Sequence, residues 1–184
     1  DQKFSNVRAA VGFMMTHPGK KLFFMGQDFA QPTEWSEERE LDWYVLSDPR
    51  HKAVQMWMKA LLHLYHEHRC LYELDTDWRG FEWINADDSY RSIFSFIRKS
   101  EDGKDNLIFV CNFTPMERSD YRLGVPVNTT YKLVLDSDTK EYGGNGARRK
   151  KTYKAVKRAC DNRDYSFDYP LSPYGVAVFS FSYV

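Results

Sequence analysis

Residues 22–25, within "KLFFM", form a continuous apolar run of strand length set between two segments of helical period. A run that does not alternate is expected to be buried on both faces, as in a parallel sheet covered by helices. On its N-terminal side, residues 2–16 place Val7, Val11 and Met14 at i, i+4 and i+7, with Phe4 and Ala10 beside them. Pro18 and Gly19 end that helix. On its C-terminal side, Asp48 is an N-cap and Pro49 a first-turn proline for a second helix. Val54, Met58, Leu61 and Tyr65 make its apolar stripe, widened by Trp57, Leu62 and Leu64. Helix, buried strand, helix is an α/β unit. One such strand cannot make a parallel sheet, which needs several. The sequence therefore predicts that residues 1–69 end a larger α/β domain whose earlier strands lie outside it. A lone strand would otherwise join the β part, pair with a second copy through 21–26, or aggregate.

Near residue 70 the pattern changes to short alternating segments separated by turns. Strands are predicted over 81–85 and 90–98, joined by "ADDS", and over 107–113 after the Asp-Gly turn in "SEDGKDN". "YKLVLD" (131–136) is another. The final strand sets Ala177, Phe179, Phe181 and Tyr183 against Val176, Val178, Ser180 and Ser182, with one face better buried than the other. Regularly spaced short strands predict an all-β antiparallel sandwich over 70–184, so the fold class is α+β. "YGGNG" (142–146) reads as a turn. It lacks the Gly-Lys-Ser/Thr ending of a phosphate loop. Five Trp, twelve Tyr and thirteen Phe suit a β-rich core better than a sugar-stacking surface.

The formal net charge is zero, which steers the chain toward no polyanion or membrane. Cys70, Cys111 and Cys160 are odd in number and far apart, so neither a disulfide framework nor a zinc site is expected. No signal peptide or membrane-length apolar run is present, and a cytoplasmic protein without membrane contact is the expectation. His63 and His66 share a helix face beside His68, but no His-Glu-x-x-His pattern accompanies them, and no metal or cofactor is predicted. "RRKKTYKAVKR" (148–158) is the strongest charge run. A solvated insertion between strands accounts for it better than a nucleic-acid patch, since no nucleic-acid-binding motif goes with it.

The loop that follows the apolar run is the candidate site. Active sites of α/β barrels lie beyond the C-terminal strand ends. The loop offers Gln27, Asp28, Glu34, Trp35, Asp42 and Trp43 as candidates for binding sugar hydroxyls and ring faces. Glu37, Glu38 and Glu40 read as solvated. A retaining glycosidase pair needs carboxylates about 5–5.5 Å apart, usually from different strands. With a single such strand, no catalytic residue is assigned.

"THPGKKLFFMGQDFAQPTEW" with "ELDWYVL" resembles the end of the catalytic domain of bacterial glycogen branching enzymes. "LYELDTDWRGFEWINADDSYRSIFSFIRK" and "CNFTPMERSDYRLGV" resemble the start of their C-terminal domain, and "YGGNG" and "PLSPYGVAVF" its later landmarks. The resemblance covers nearly the whole chain. It implies an α-amylase superfamily (β/α)8 barrel followed by an all-β domain. Residues 2–16 would be the seventh barrel helix, 21–26 the eighth strand and 49–67 the eighth helix. It also implies a retaining transfer of α-1,4-glucan pieces into α-1,6 branches of glycogen. The catalytic carboxylates would precede Asp1, so this piece is expected to be inactive by itself, with the remainder of the barrel as its partner. The family usually has Glu where Asp28 stands, and its usual pattern lacks the basic segment 148–158. Trp78, Phe81, Trp83 and Tyr142 are candidates for glucan contact within the β domain. A stand-alone carbohydrate-binding β-sandwich is the alternative.

Overall fold

The structure is a computed structural model and describes residues 2–183. It opens with α1 (Gln2–Thr16) and, after a long loop, α2 (Pro49–Glu67). Eight strands follow: β1 (Phe81–Asp88), β2 (Ile93–Lys99), β3 (Asn106–Asn112), β4 (Arg118–Val125), β5 (Thr130–Asp136), β6 (Thr152–Lys154), β7 (Tyr165–Leu171) and β8 (Val176–Phe181). Six of them make an antiparallel sheet in the order β1-β2-β3-β8-β5-β6, and β4 pairs with β7 in a second sheet.

The molecule has three layers. Between the sheets lies an apolar core that includes Ile93, Ile97, Ile108, Leu123, Phe167, Tyr169 and Phe179. On the other face of the large sheet, Phe96, Leu107, Phe109, Cys111, Val176 and Val178 pack under the helix layer, against Met15, Trp57, Met58, Leu61, Leu64 and Leu71. All seven residues of β3 are buried, because both of its faces are covered. The same covering corrects the expectation for the last strand. Val176 and Val178 are as buried as Ala177 and Phe179, since the helices take the face that alternation left weaker.

Both helices form where their periodicity predicts. The Asp48 carboxylate accepts from Arg50 N at 2.8 Å and Pro49 opens α2. Trp57 is fully buried, and its Nε1 donates to Arg8 O of α1 at 3.0 Å. Gly12 lets α1 lie close on the sheet, since a Cβ there would sit 3.0 Å from the Val176 side chain. The α1 stripe is rotated from expectation. Arg8, Ala9, Val11, Gly12, Met15 and Thr16 are buried, Val11 as expected, whereas Val7 and Met14 are half-buried and Ala10 is exposed. On α2, Leu62 is exposed rather than part of the stripe.

The largest correction concerns residues 21–26, which form no strand. Leu22, Phe24 and Met25 are 82%, 54% and 49% exposed, and only Phe23 packs against the helix pair. A strand exists by pairing, and no other segment of the described residues supplies it a ladder. The β1 strand also runs beyond 85, through two register shifts to Asp88, so "ADDS" is not the turn, and β2 starts at Ile93 rather than 90. The basic run is more structured than a solvated insertion. Its residues 152–154 are the edge strand β6, Tyr153 and Ala155 are buried, and Arg149 turns inward to lie 3.5 Å from Asp136 and Asp138.

Two polar knots tie the layers. The Arg98 guanidinium, fully buried in β2, donates to Thr16 O at 2.9 Å and Leu71 O at 3.0 Å and pairs with Asp75 at 2.8 Å. The glycine-rich turn at 143–146 wraps Asp138, whose carboxylate accepts from Asn145 N at 2.9 Å and Ala147 N at 3.3 Å. Gly144 lies so close that a Cβ would come within 2.2 Å of the Asp138 backbone. The neighbouring Tyr142 ring rests 5.2 Å from Trp57, joining this turn to α2.

Candidate functional site: the loop after residues 21–26

The loop begins with a tight fold of the chain. Gly26 takes φ 79, and a Cβ there would lie 2.7 Å from Gln31, so both backbone and space call for glycine. Gln31 N donates to Gly26 O at 2.9 Å, and Gln27 Oε1 accepts from Phe24 N at 2.9 Å. The Gln27 side chain thus holds the loop's own backbone. Phe29 is fully buried, with its carbonyl 2.9 Å from His51 Nδ1 of α2 and its ring 5.1 Å from Trp43.

Asp42 closes the loop. It is 6% exposed, accepts from the Thr33 hydroxyl and pairs with Arg39 at 3.0 Å, while its own N–H donates to Gln31 Oε1 at 2.8 Å. Arg39 also donates to the Glu34 carbonyl, which ties its guanidinium to the loop at the surface. The remaining candidates face outward. The Asp28 carboxylate, half-buried, has no hydrogen-bond or ion-pair partner among the described residues. Glu34 is exposed, Trp35 is 39% exposed and meets Phe24 edge-on at 5.4 Å, and Trp43 is 51% exposed. Gln27, Asp28, Trp35 and Trp43 therefore gather around 24–29, whereas Asp42 is spent on loop structure.

Two apolar grooves flank this segment. One, about 420 Å³, runs between it and α1, lined by Val7, Ala10, Met14, Phe23, Gln27 and Gln31. The other, about 330 Å³, lies on its opposite side, lined by Phe24, Met25, Asp28, Leu41, Met58 and Leu62. The side of α1 that carries Val7, Ala10 and Met14 opens on the first groove, with Val7 also touching the edge of the core. The arrangement offers carboxylates and ring faces at a rim with bare apolar surface below it.

Elsewhere, His63 and His66 are exposed, and His68 Nδ1 lies 2.7 Å from Asp105 Oδ1. No group of three metal-binding side chains occurs among the described residues. None of their helices is long and apolar enough to cross a membrane. Among the ring candidates of the β part, Trp78 is 85% exposed and Trp83 40%, while Phe81 and Tyr142 are half-buried in packing contacts. Sequence reasoning missed the cluster around Arg98. Its signal was an arginine inside the apolar strand "IFSFIRK". In that cluster burial holds the Lys21 ammonium down to about 8 and also lowers His17, while Asp75 opposes both shifts.

Comparison with known proteins gives this geometry a family. A 1,4-alpha-glucan branching enzyme GlgB of Butyrivibrio fibrisolvens is 50% identical over 179 residues, which is 97% of this chain and 28% of that protein. The GlgB of Halothermothrix orenii is 42% identical over 178 residues, again 97% of this chain and 28% of that protein. The chain thus spans little more than a quarter of the length of these relatives. Among solved structures, a trehalulose synthase MutB mutant in complex with Tris superposes with a TM-score of 0.58 at 12% identity, covering 96% of this chain and 38% of that one. A MutB mutant in complex with sucrose gives 0.56 at 11% identity with the same coverage. At such identities the likeness speaks of fold alone. Residues 83–182 match the alpha amylase C-terminal all-beta domain. With strands, sheet pairing and sequence in agreement, the chain belongs to the alpha amylase C-terminal all-beta domain family.

Proposed function

We propose that this chain is the C-terminal part of a 1,4-alpha-glucan branching enzyme, with 1–69 closing its (β/α)8 barrel and 70–184 forming its all-β domain. The observation that carries this is 50% identity to a GlgB across 97% of the chain. The exposed Leu22, Phe24 and Met25, the two grooves beside them and the apolar outer side of α1 support it. Bare apolar surface of this extent marks a site where something packs. Neighbouring barrel strands would pair with 21–26, and a neighbouring helix would fill the groove along α1. In this reading Gln27, Asp28, Glu34, Trp35, Asp42 and Trp43 belong to a wall of the glucan cleft. Asp28 and the rings of Trp35 and Trp43 are the groups free to touch sugar, Gln27 and Asp42 shape the wall, and the reacting carboxylates come from the upstream segment.

The test is reconstitution. The purified chain given amylose should make no new α-1,6 branches, and co-expression with the upstream part of a close relative should yield an active complex. Branching by the chain alone would sink the proposal. The exposed Trp78 and Trp83 favour a second reading, a carbohydrate-binding β-sandwich that acts without a barrel. Retention on a maltooligosaccharide affinity gel that Trp78→Ala and Trp83→Ala abolish, together with failed reconstitution, would favour it.

A further inference from the structure

The basic run holds seven of the chain's 26 cationic side chains within eleven residues and no acid. Arg149 alone among them enters an ion pair. Arg148, Lys150, Lys151, Lys154, Lys157 and Arg158 are exposed, and no carboxylate of the described residues pairs with them. On the edge strand Thr152 and Lys154 are exposed while Tyr153 between them is buried, Lys150 and Lys151 stand exposed just before it, and Lys132 is exposed across from Thr152 on β5. Single-stranded nucleic acid would want exposed rings to stack on. The run's one ring, Tyr153, is 7% exposed and packed against Phe167.

The chain carries the complement. Glu34, Glu37, Glu38 and Glu40 are all exposed, and no cation of the described residues pairs with their carboxylates. The one cation among them, Arg39, stays 42% exposed but is already paired with Asp42. The acidic and basic stretches balance within a net charge of zero, so copies approach without overall repulsion.

We propose that the β6 edge of one copy docks on residues 37–40 of a second copy, in a head-to-tail contact held by charge. A head-to-tail contact of this kind is heterologous and builds rings or open chains. The apolar surface around 22–25 would give association of another kind, because burial of apolar area does not weaken in salt.

Sedimentation velocity across a concentration series, at about 20 mM and about 500 mM salt, separates the two. The expected result is concentration-dependent assembly at low salt that dissociates to monomer at high salt. The triple variant Lys150→Glu, Lys151→Glu, Lys154→Glu should be monomeric at low salt, and so should Glu37→Lys, Glu38→Lys, Glu40→Lys. An equimolar mixture of the two should assemble again, because each then offers the other opposite charge. All six side chains are exposed, and circular dichroism confirms that the variants fold. A chain monomeric at every concentration, assembly that persists at high salt, or a mixture that stays monomeric would overturn the proposal. Retention on RNA without self-assembly would overturn it too, in favour of a polyanion.

Discussion

Arg98 is where most segments of the molecule meet: the end of α1, the turn after α2, the loop at Asp75 and β2. A guanidinium out of water is tolerated there because two carbonyls and a carboxylate receive it. Arg98→Met leaves Asp75 with only the Gly19 N–H and takes a donor from two carbonyls, and should cost about 3 kcal/mol in urea unfolding. Adding Asp75→Asn should return part of that loss, because it removes the stranded charge. Lys21, nearby, shows the same burial through pH. Its folded pKa of about 8 lies below the ordinary 10.5, so the native state releases that proton first. Between those values the unfolded chain binds more protons, and the native state gains stability as pH rises. The urea midpoint of the natural chain, relative to Lys21→Met, should therefore climb from pH 8 to pH 10 and stay level below pH 8.

At the scale of elements, the segment 21–26 and the glycine-rich turn behave oppositely. Leu22→Ser, Phe24→Ser and Met25→Ser each remove an exposed apolar side chain and should shift stability by no more than about 0.5 kcal/mol. Together they should abolish reconstitution with an upstream barrel part, a loss that a merely solvated loop would not show. Gly144→Ala forces a Cβ into the Asp138 backbone and should cost about 3 kcal/mol, read in the same urea titration. These elements also show what the sequence could and could not say. Both helices were legible because their apolar spacing is local. The run "LFFM" reads as a buried strand, yet Leu22, Phe24 and Met25 stand exposed, because burial requires neighbours and the described residues supply none. The β4 and β7 strands went unread, because "RSDYRLGV" and "YSFDYPL" mix charges and a proline into their alternation. In the loop, the candidate residues were legible by type. The use of Asp42 on Thr33 and Arg39, and of Gln27 on Phe24, was not, because it depends on how the loop folds back.

At the scale of the whole molecule, the helix pair and the β part share an apolar interface centred on Trp57, Cys111 and Val176. The sequence break near residue 70 is thus a change of pattern that the packing bridges. We expect one cooperative transition, in which the helical signal at far-ultraviolet wavelengths and the near-ultraviolet aromatic signal coincide through urea unfolding. Helices that melted ahead of the sheet would show two separate units instead. The position of β8 carries a consequence in time. It lies between β3 and β5, so residues 176–181 join two halves of the large sheet, β1-β2-β3 and β5-β6. A ribosome makes those halves first, and each waits with an open edge until the joining strand emerges from the exit tunnel. The nascent chain is therefore most exposed to mispairing in the interval before residues 176–181 appear, and that interval is where a chaperone would have something to hold.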